Sequence, residues 1–250
     1  NEESLDSRIS YSQQLFNQFI SFSTIYQTIS GNLPQQDYRY IKTEPGQGYY
    51  TWIDYNGDGI KDLNEFEIAQ FGDRAEYLRI ILPTIQYLPI HQNKFTQSLT
   101  LNAQQWSNKK GVKKVLSHFT NQSFILVDSK REKELKKFNL NPFDISNSNI
   151  LGLNFNFNNS LYFNRAKKHY STTYNFIKSK VKNITTIDNL SNTIQMHQLK
   201  FEHKIGKFWQ FNVEGSTSEN KTNSENYVNR NYQLKNSIVN PKLSYYYNED

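Results

Sequence analysis

The sequence contains no cysteine, so neither a disulfide nor a thiolate metal site is open to it. It has one methionine, Met196, and does not start with one; the Asn1-Glu2-Glu3 opening carries no signal peptide and reads as an internal piece of a longer protein. No apolar run approaches the roughly 20 residues that a membrane-crossing helix needs. A G-x-S-x-G elbow, an H-E-x-x-H pair and a phosphate loop are all missing. His91, His118, His169, His197 and His203 do not stand at metal-ligand spacing and read as ordinary surface or lumen histidines. Nor is a paired-carboxylate motif for glycan hydrolysis legible. With no catalytic residue to nominate, the chain reads as non-enzymatic.

Aromatic residues are plentiful, with 17 Tyr and 17 Phe, on a background rich in Asn, Gln, Ser and Thr. A soluble core is normally built from Leu, Val and Ala. Many rings among polar residues suit a surface on which every second side chain meets something apolar. The formal charge is +6. The cations are scattered apart from Lys109-Lys110, Lys113-Lys114 and the run from Lys130 to Lys137, where acids are interleaved. That run reads as a solvated segment, and nucleic acid is not expected as a partner.

The most specific pattern lies between Asp54 and Glu67. Asp54, Asn56, Asp58, Asp62 and Glu65 fall at positions 1, 3, 5, 9 and 12 of a loop with Gly59 at position 6. This is the spacing D-x-[DN]-x-[DN]-G-x5-E of a calcium loop. A hard divalent cation takes many oxygens, so the backbone must wrap tightly around it. Gly59 allows the sharp turn, Ile60 offers its carbonyl, Asp62 ligates directly or through water, and Glu65 closes the site with both oxygens. The expected ligands are therefore Asp54, Asn56, Asp58, Ile60, Asp62 and Glu65, with structural Ca2+ as the cofactor. The bland reading is a surface turn, because Asn56-Gly57 and Asp58-Gly59 are both turn dipeptides. A turn has no use for the third acid or the terminal Glu at these offsets. Tyr49 to Ile53 reads as a strand where a sensor would have a helix, which favours a structural staple over a switch.

Elsewhere a period of two predicts strands. Ile20, Phe22, Thr24 and Tyr26 alternate with Ser21, Ser23, Ile25 and Gln27. Breaks are expected at Ser30 to Pro34, at Pro45 to Gly48 and at Pro83, with a short strand over Tyr38 to Ile41. Phe95 to Trp106 reads as a strand, Phe124 to Val127 as a buried one, and Asn141 to Asp144 as a turn. Leu151, Leu153, Phe155 and Phe157 alternate with Gly152, Asn154, Asn156 and Asn158, and Trp209, Phe211 and Val213 continue the pattern after Gly206. Asn158-Asn159 is also readable as a hairpin turn. A long polar loop is expected from Ser216 to Asn231, then a hairpin of Tyr232 to Ile238 and Leu243 to Tyr247 about Asn240-Pro241. Three parts follow: early strands over 1–106 carrying the loop 54–67, an irregular connection over 107–149 with short strands, and antiparallel hairpins over 150–250.

Gly46-Gln47-Gly48-Tyr49, Trp52-x-Asp54-x-Asn56-Gly57-Asp58-Gly59, Glu65-Phe66-Glu67 and Tyr77-Leu78-Arg79 together resemble a segment of large outer-membrane proteins of Gram-negative bacteria. Ser160 to Arg165, Asn229 to Tyr232 and Asn240 to Tyr245 resemble barrel strands of the same proteins. The resemblance implies an all-β fold: antiparallel strands of a partial transmembrane β-barrel with long loops, placed in the cell outer membrane. The expected partners are membrane lipid and other envelope proteins or glycans. The rival is a secreted β-sandwich adhesin or glycan-binding module with the same calcium staple, since a sandwich shows the same alternation.

Overall fold

The computed structural model describes residues 4–55, 57–69, 71–133, 139–144, 150–165, 169–184, 189–224 and 228–247. Strands dominate: β1 (Ser7–Leu15), β2 (Ile20–Lys42), β3 (Tyr50–Trp52), β4 (Phe66–Ile68), β5 (Tyr77–Asn102), β6 (Phe119–Glu132), β7 (Ile150–Phe163), β8 (Tyr170–Ile184), β9 (Asn189–Ile205), β10 (Trp209–Ser224) and β11 (Tyr232–Tyr245). The one α-helix among the described residues, α1, is the single turn Val112–Leu116. All strands join one antiparallel sheet in the order β1-β2-β5-β6-β7-β8-β9-β10-β11, with the small β3–β4 hairpin attached to β5. β1 and β11 are its edges, and no pairing between them closes it among the described residues.

Several strands outrun the sequence reading, for physical reasons. β2 passes straight through Ser30 to Pro34 and on to Lys42, and β5 passes through Pro83 and Pro89. Proline is tolerated where its missing N–H faces no partner, or at a bulge. β1 accompanies β2 only as far as Thr28, and β6 accompanies β5 only as far as Ile90, so beyond them both strands are edges. Pro83 sits where the register shifts between Gln36 and Tyr38. Pro241 lies within β11, whose far side is an open edge, so the turn expected there is a strand. The long loop expected over Ser216 to Asn231 is mostly β10, which reaches Ser224. Its residues there are polar on both faces, so alternation is silent and backbone pairing to β9 and β11 decides. Asn158-Asn159 lies inside β7, and Phe95's strand stops at Asn102, with Ala103–Trp106 turning as a 3-10 helix.

The register sorts the side chains onto two faces. One face carries Phe22, Leu99, Leu161, Tyr174, Leu199, Phe201, Phe211, Val213, Val239 and Leu243 over the half nearest the short turns, and Lys178, Lys180, Lys182, Glu219, Lys221 and Lys235 farther along. The other carries Ser23, Ser98, Thr100, Ser160, Asn156, Asn158, Thr173, Asn175, Gln198, Lys200, Glu214 and Ser216, interspersed with Ile25, Phe124, Ile177, Ile194, Met196 and Ile238. The apolar face is covered only near one end. There Val127, Ile150 and Leu153 form a buried cluster with Phe95, Ile125 and Phe155 around them. Residues 139–144 cross over this patch. Phe143 packs edge-on against Phe95, the Tyr26 hydroxyl donates to the Leu140 carbonyl at 2.8 Å, and buried Arg131 pairs with Asp144 at 3.0 Å. Elsewhere on this face Leu199, Val239, Leu243 and Trp209 stay open.

Directly opposed residues also record a stagger. The line from Ile20, first residue of β2, runs through Leu101, Asn121, Leu161, Tyr174 and Leu199 to Gly215, seventh residue of β10. The hairpin ends thus slide by one residue per strand. With a rise of ~3.3 Å per residue and strands ~4.8 Å apart, turns lying in one plane require a strand tilt of about 35°.

Candidate metal site at the tip of a projecting hairpin

Beyond Gly31 and Ile90 the strands β2 and β5 pair with each other alone until β3 joins β5 at Tyr77. This two-stranded ribbon runs to Lys42 and Tyr77, a reach of about 37 Å at the rise of a strand. An isolated ribbon is marginal in water. Its tip is therefore where the chain must supply extra packing, and residues 43–76 do so.

At the tip, the Phe66 ring, 3% exposed, stacks on Tyr40 at 4.0 Å and meets Tyr77 edge-on at 5.0 Å. Tyr40 in turn contacts Tyr38 and Tyr50, and the Arg79 guanidinium stands 5.6 Å from the rings of Tyr38 and Tyr50. Gly48 threads beside β5, its N–H donating to the Ala75 carbonyl at 2.8 Å. A Cβ there would meet the Tyr77 nitrogen at 2.5 Å, so only glycine fits. β3 and β4 then pair, and the Ile53 N–H donates to the Glu65 carbonyl at 2.9 Å to close the acid-bearing loop between them.

The loop is wound by its own carboxylates. Asp54 accepts from the Gly57 and Gly59 N–H groups at 2.7 and 2.9 Å, and Asp58 accepts from the Ile60 N–H at 2.7 Å. Gly57 and Gly59 have φ of 74° and 70°, the left-handed region that side chains resist. Glu65 is 3% exposed and accepts from the Trp52 indole at 2.9 Å and from the Asp62 N–H at 3.3 Å. Lys61 places its amine 5.3 Å from the Trp52 ring and 5.4 Å from that of Tyr77. Tyr55 donates to Glu67 at 2.6 Å, and that bond, which needs the proton, pushes the phenol up to about 12.

Of the expected ligands, the structure brings Asp54, Asp58 and Glu65 together, with one oxygen of each within 4.8 Å of the others. Oxygens on a common calcium lie 2.3–2.6 Å from it and so at most about 5.2 Å apart. The three carboxylates fit that limit and can hold a divalent ion. Asp62 is not in this group, and the exposed Ile60 is placed by its N–H bond to Asp58. Asn56 lies outside the described residues.

The acid spacing was readable from sequence, and Tyr49, Tyr50 and Trp52 beside it read as its packing base; Gly48, Phe66 and Tyr40 belong to no spacing rule and were not readable. A row of rings at the opposite end of the strands also went unread: Phe19 on Trp106 at 4.6 Å, Phe119 on Phe163 at 5.0 Å, and Trp209 on Tyr245 at 4.9 Å. Placing each ring relative to its strand end would have found it. No protein-family model, curated protein or solved structure matches the chain.

Proposed function

We propose that this chain is a non-enzymatic segment of a Gram-negative outer-membrane β-barrel, with a structural calcium loop at the tip of a hairpin that stands clear of the bilayer. The observation that carries this reading is an open apolar patch on one face of a single sheet, over the half nearest the short turns, backed there by polar residues on the other face. Lys178, Lys180 and Lys182, on the patch's face but nearer the other end, lie beyond the apolar band. A soluble sandwich covers its apolar face with a second sheet, and the described residues form one sheet. Lipid outside and water inside satisfy both faces at once. The main strands β5 to β11 have 14 or more residues, more than the 9–11 that span a bilayer. The stagger matches the strand tilt of barrels.

In this reading Asp54, Asp58 and Glu65 hold Ca2+, with the Ile60 carbonyl, Asn56 and Asp62 completing the shell directly or through water. The ion removes the repulsion among the acids and, by binding only the folded tip, stabilises it by mass action. The hairpin then presents a rigid surface to glycans or other envelope proteins.

The test is fractionation of the native cells with heat-modifiability on a denaturing gel, with and without chelator. The expected result is an outer-membrane protein whose mobility shifts on boiling and whose residues 43–76 become protease-sensitive once calcium is removed. A soluble product with no shift on boiling would refute the barrel. Cleavage that ignores calcium would refute the staple.

A further inference from the structure

The connections at the end of the sheet opposite the acidic loop include the described residues 16–19, 103–118, 164–165 and 206–208. These contain six Lys or Arg residues and no Asp or Glu. Residues 43–76, at the other end, contain eight acids and two cations. The hairpin tip is therefore acidic and these turns are basic, while Lys178, Lys180 and Lys182 lie on the strands nearer the hairpin's end.

The basic end is also apolar where it is exposed. Phe16 is 72% exposed, Val112 75%, Val115 60% and Phe208 42%. Lys109, Lys110, Lys113 and Lys114 are exposed in and beside α1, among Val112, Val115 and Leu116. Within these turns and directly inward from them lies the row of rings from Phe19 and Trp106 to Trp209 and Tyr245. Water alone does not favour open Phe and Val side chains, and a protein partner is not indicated by cations spread over separate turns. A phospholipid leaflet accommodates all three features. Rings settle at the headgroup level, apolar tips reach the acyl boundary, and lysines meet phosphates.

We propose that this end of the sheet is seated on a leaflet of anionic phospholipid, with Lys109, Lys110, Lys113, Lys114, Arg165 and Lys207 facing the headgroup phosphates. The inference rests on the membrane reading above and adds to it an orientation: the basic turns lie at the phospholipid leaflet and the acidic hairpin points away. The charge complementarity selects anionic over neutral lipid.

The test uses the full chain, folded in detergent and transferred to vesicles of phosphatidylcholine, with or without phosphatidylglycerol. Phosphatidylglycerol should strengthen association in a salt-sensitive way. Replacing Lys109, Lys110, Lys113 and Lys114 together by Gln should remove that gain, at about fivefold per lysine. Replacing Lys178, Lys180 and Lys182, nearer the other end, should not. Variants retaining only Trp106 or only Trp52 should differ in quenching by brominated lipid, with Trp106 quenched and Trp52 silent. Equal insertion into both vesicle types, unaffected by the four-lysine change, would overturn the seating while leaving a barrel. Loss of the gain in the Lys178, Lys180 and Lys182 variant instead would overturn the orientation. A chain that associates with neither vesicle would sink the membrane reading itself.

Discussion

Replacing Gly48 by Ala should open the tip of the hairpin without touching any acid. The added Cβ would lie 2.5 Å from the Tyr77 nitrogen and 2.7 Å from the Ala75 and Tyr77 carbonyl oxygens. Ordinary contact begins near 3.4 Å, so the segment must retreat by about 1 Å from β5. All three obstacles are backbone atoms, and no rotamer change relieves them. The retreat breaks the bonds from Gly46 and Gly48 to Ala75 and from Tyr49 to Tyr77. Three such bonds at 0.5–1.5 kcal/mol each give a loss of about 3 kcal/mol, or roughly a hundredfold rise in the open population. Amide exchange over residues 43–53 should accelerate by that factor, with β8 to β10 unchanged, and calcium affinity read from Trp52 fluorescence should fall. Gly57→Ala is the control. It meets no atom within 4 Å and suffers only from its φ of 74°, a cost of about 1–2 kcal/mol. Unchanged exchange in Gly48→Ala, or a larger effect in Gly57→Ala, would refute the docking of this segment on β5.

Asp58→Asn should make the apo tip less sensitive to protease, because like charges within 4.8 Å repel by about 1 kcal/mol even with water's screening, while abolishing protection by calcium; digestion with and without chelator reads both signs. Phe66→Ala should cost about 3–5 kcal/mol locally, as expected for a buried ring, and should unfold residues 43–76 without changing the heat-induced gel shift. Hydrogen bonds from Arg131 and Asn139 hold the Asp144 carboxyl below its ordinary range, so the clasp of 139–144 is stable above about pH 4 and is lost as pH falls through the lowered value. Amide exchange in that segment should show the loss, and Asp144→Asn should remove its pH dependence. Glu67→Gln should bring the Tyr55 phenol down from about 12 toward its ordinary value in an ultraviolet titration; in the unaltered chain the bond's contribution is present below about pH 10 and fades as pH rises toward 12.

What could be read in advance follows from where the information lies. Ligand spacing is local, so Asp54, Asp58 and Glu65 declared themselves. Alternation was legible from Leu151 to Val213, where Phe and Leu oppose Asn and Ser. It failed over Ser216 to Ser224, because a strand polar on both faces has the composition of a loop. It failed again at Pro34 and Pro83, because the propriety of a proline depends on whether a neighbouring strand is present, which is a property of the sheet. The aromatic row and the gathering of basic turns at one end were equally hidden. Both depend on which end of each strand a residue occupies, and that is known only once the order of pairing is known.

The meander has nine strands in its main path, so β1 and β11 point the same way. The parity has a consequence for closure. Direct joining of these two edges would create a parallel seam in an otherwise antiparallel wall. Two copies standing upright in one membrane offer each other the same parallel match, whichever edges meet. A wholly antiparallel ring built on this sheet must therefore contain an odd number of strands beyond the nine, and the first of them beside either edge runs opposite to both.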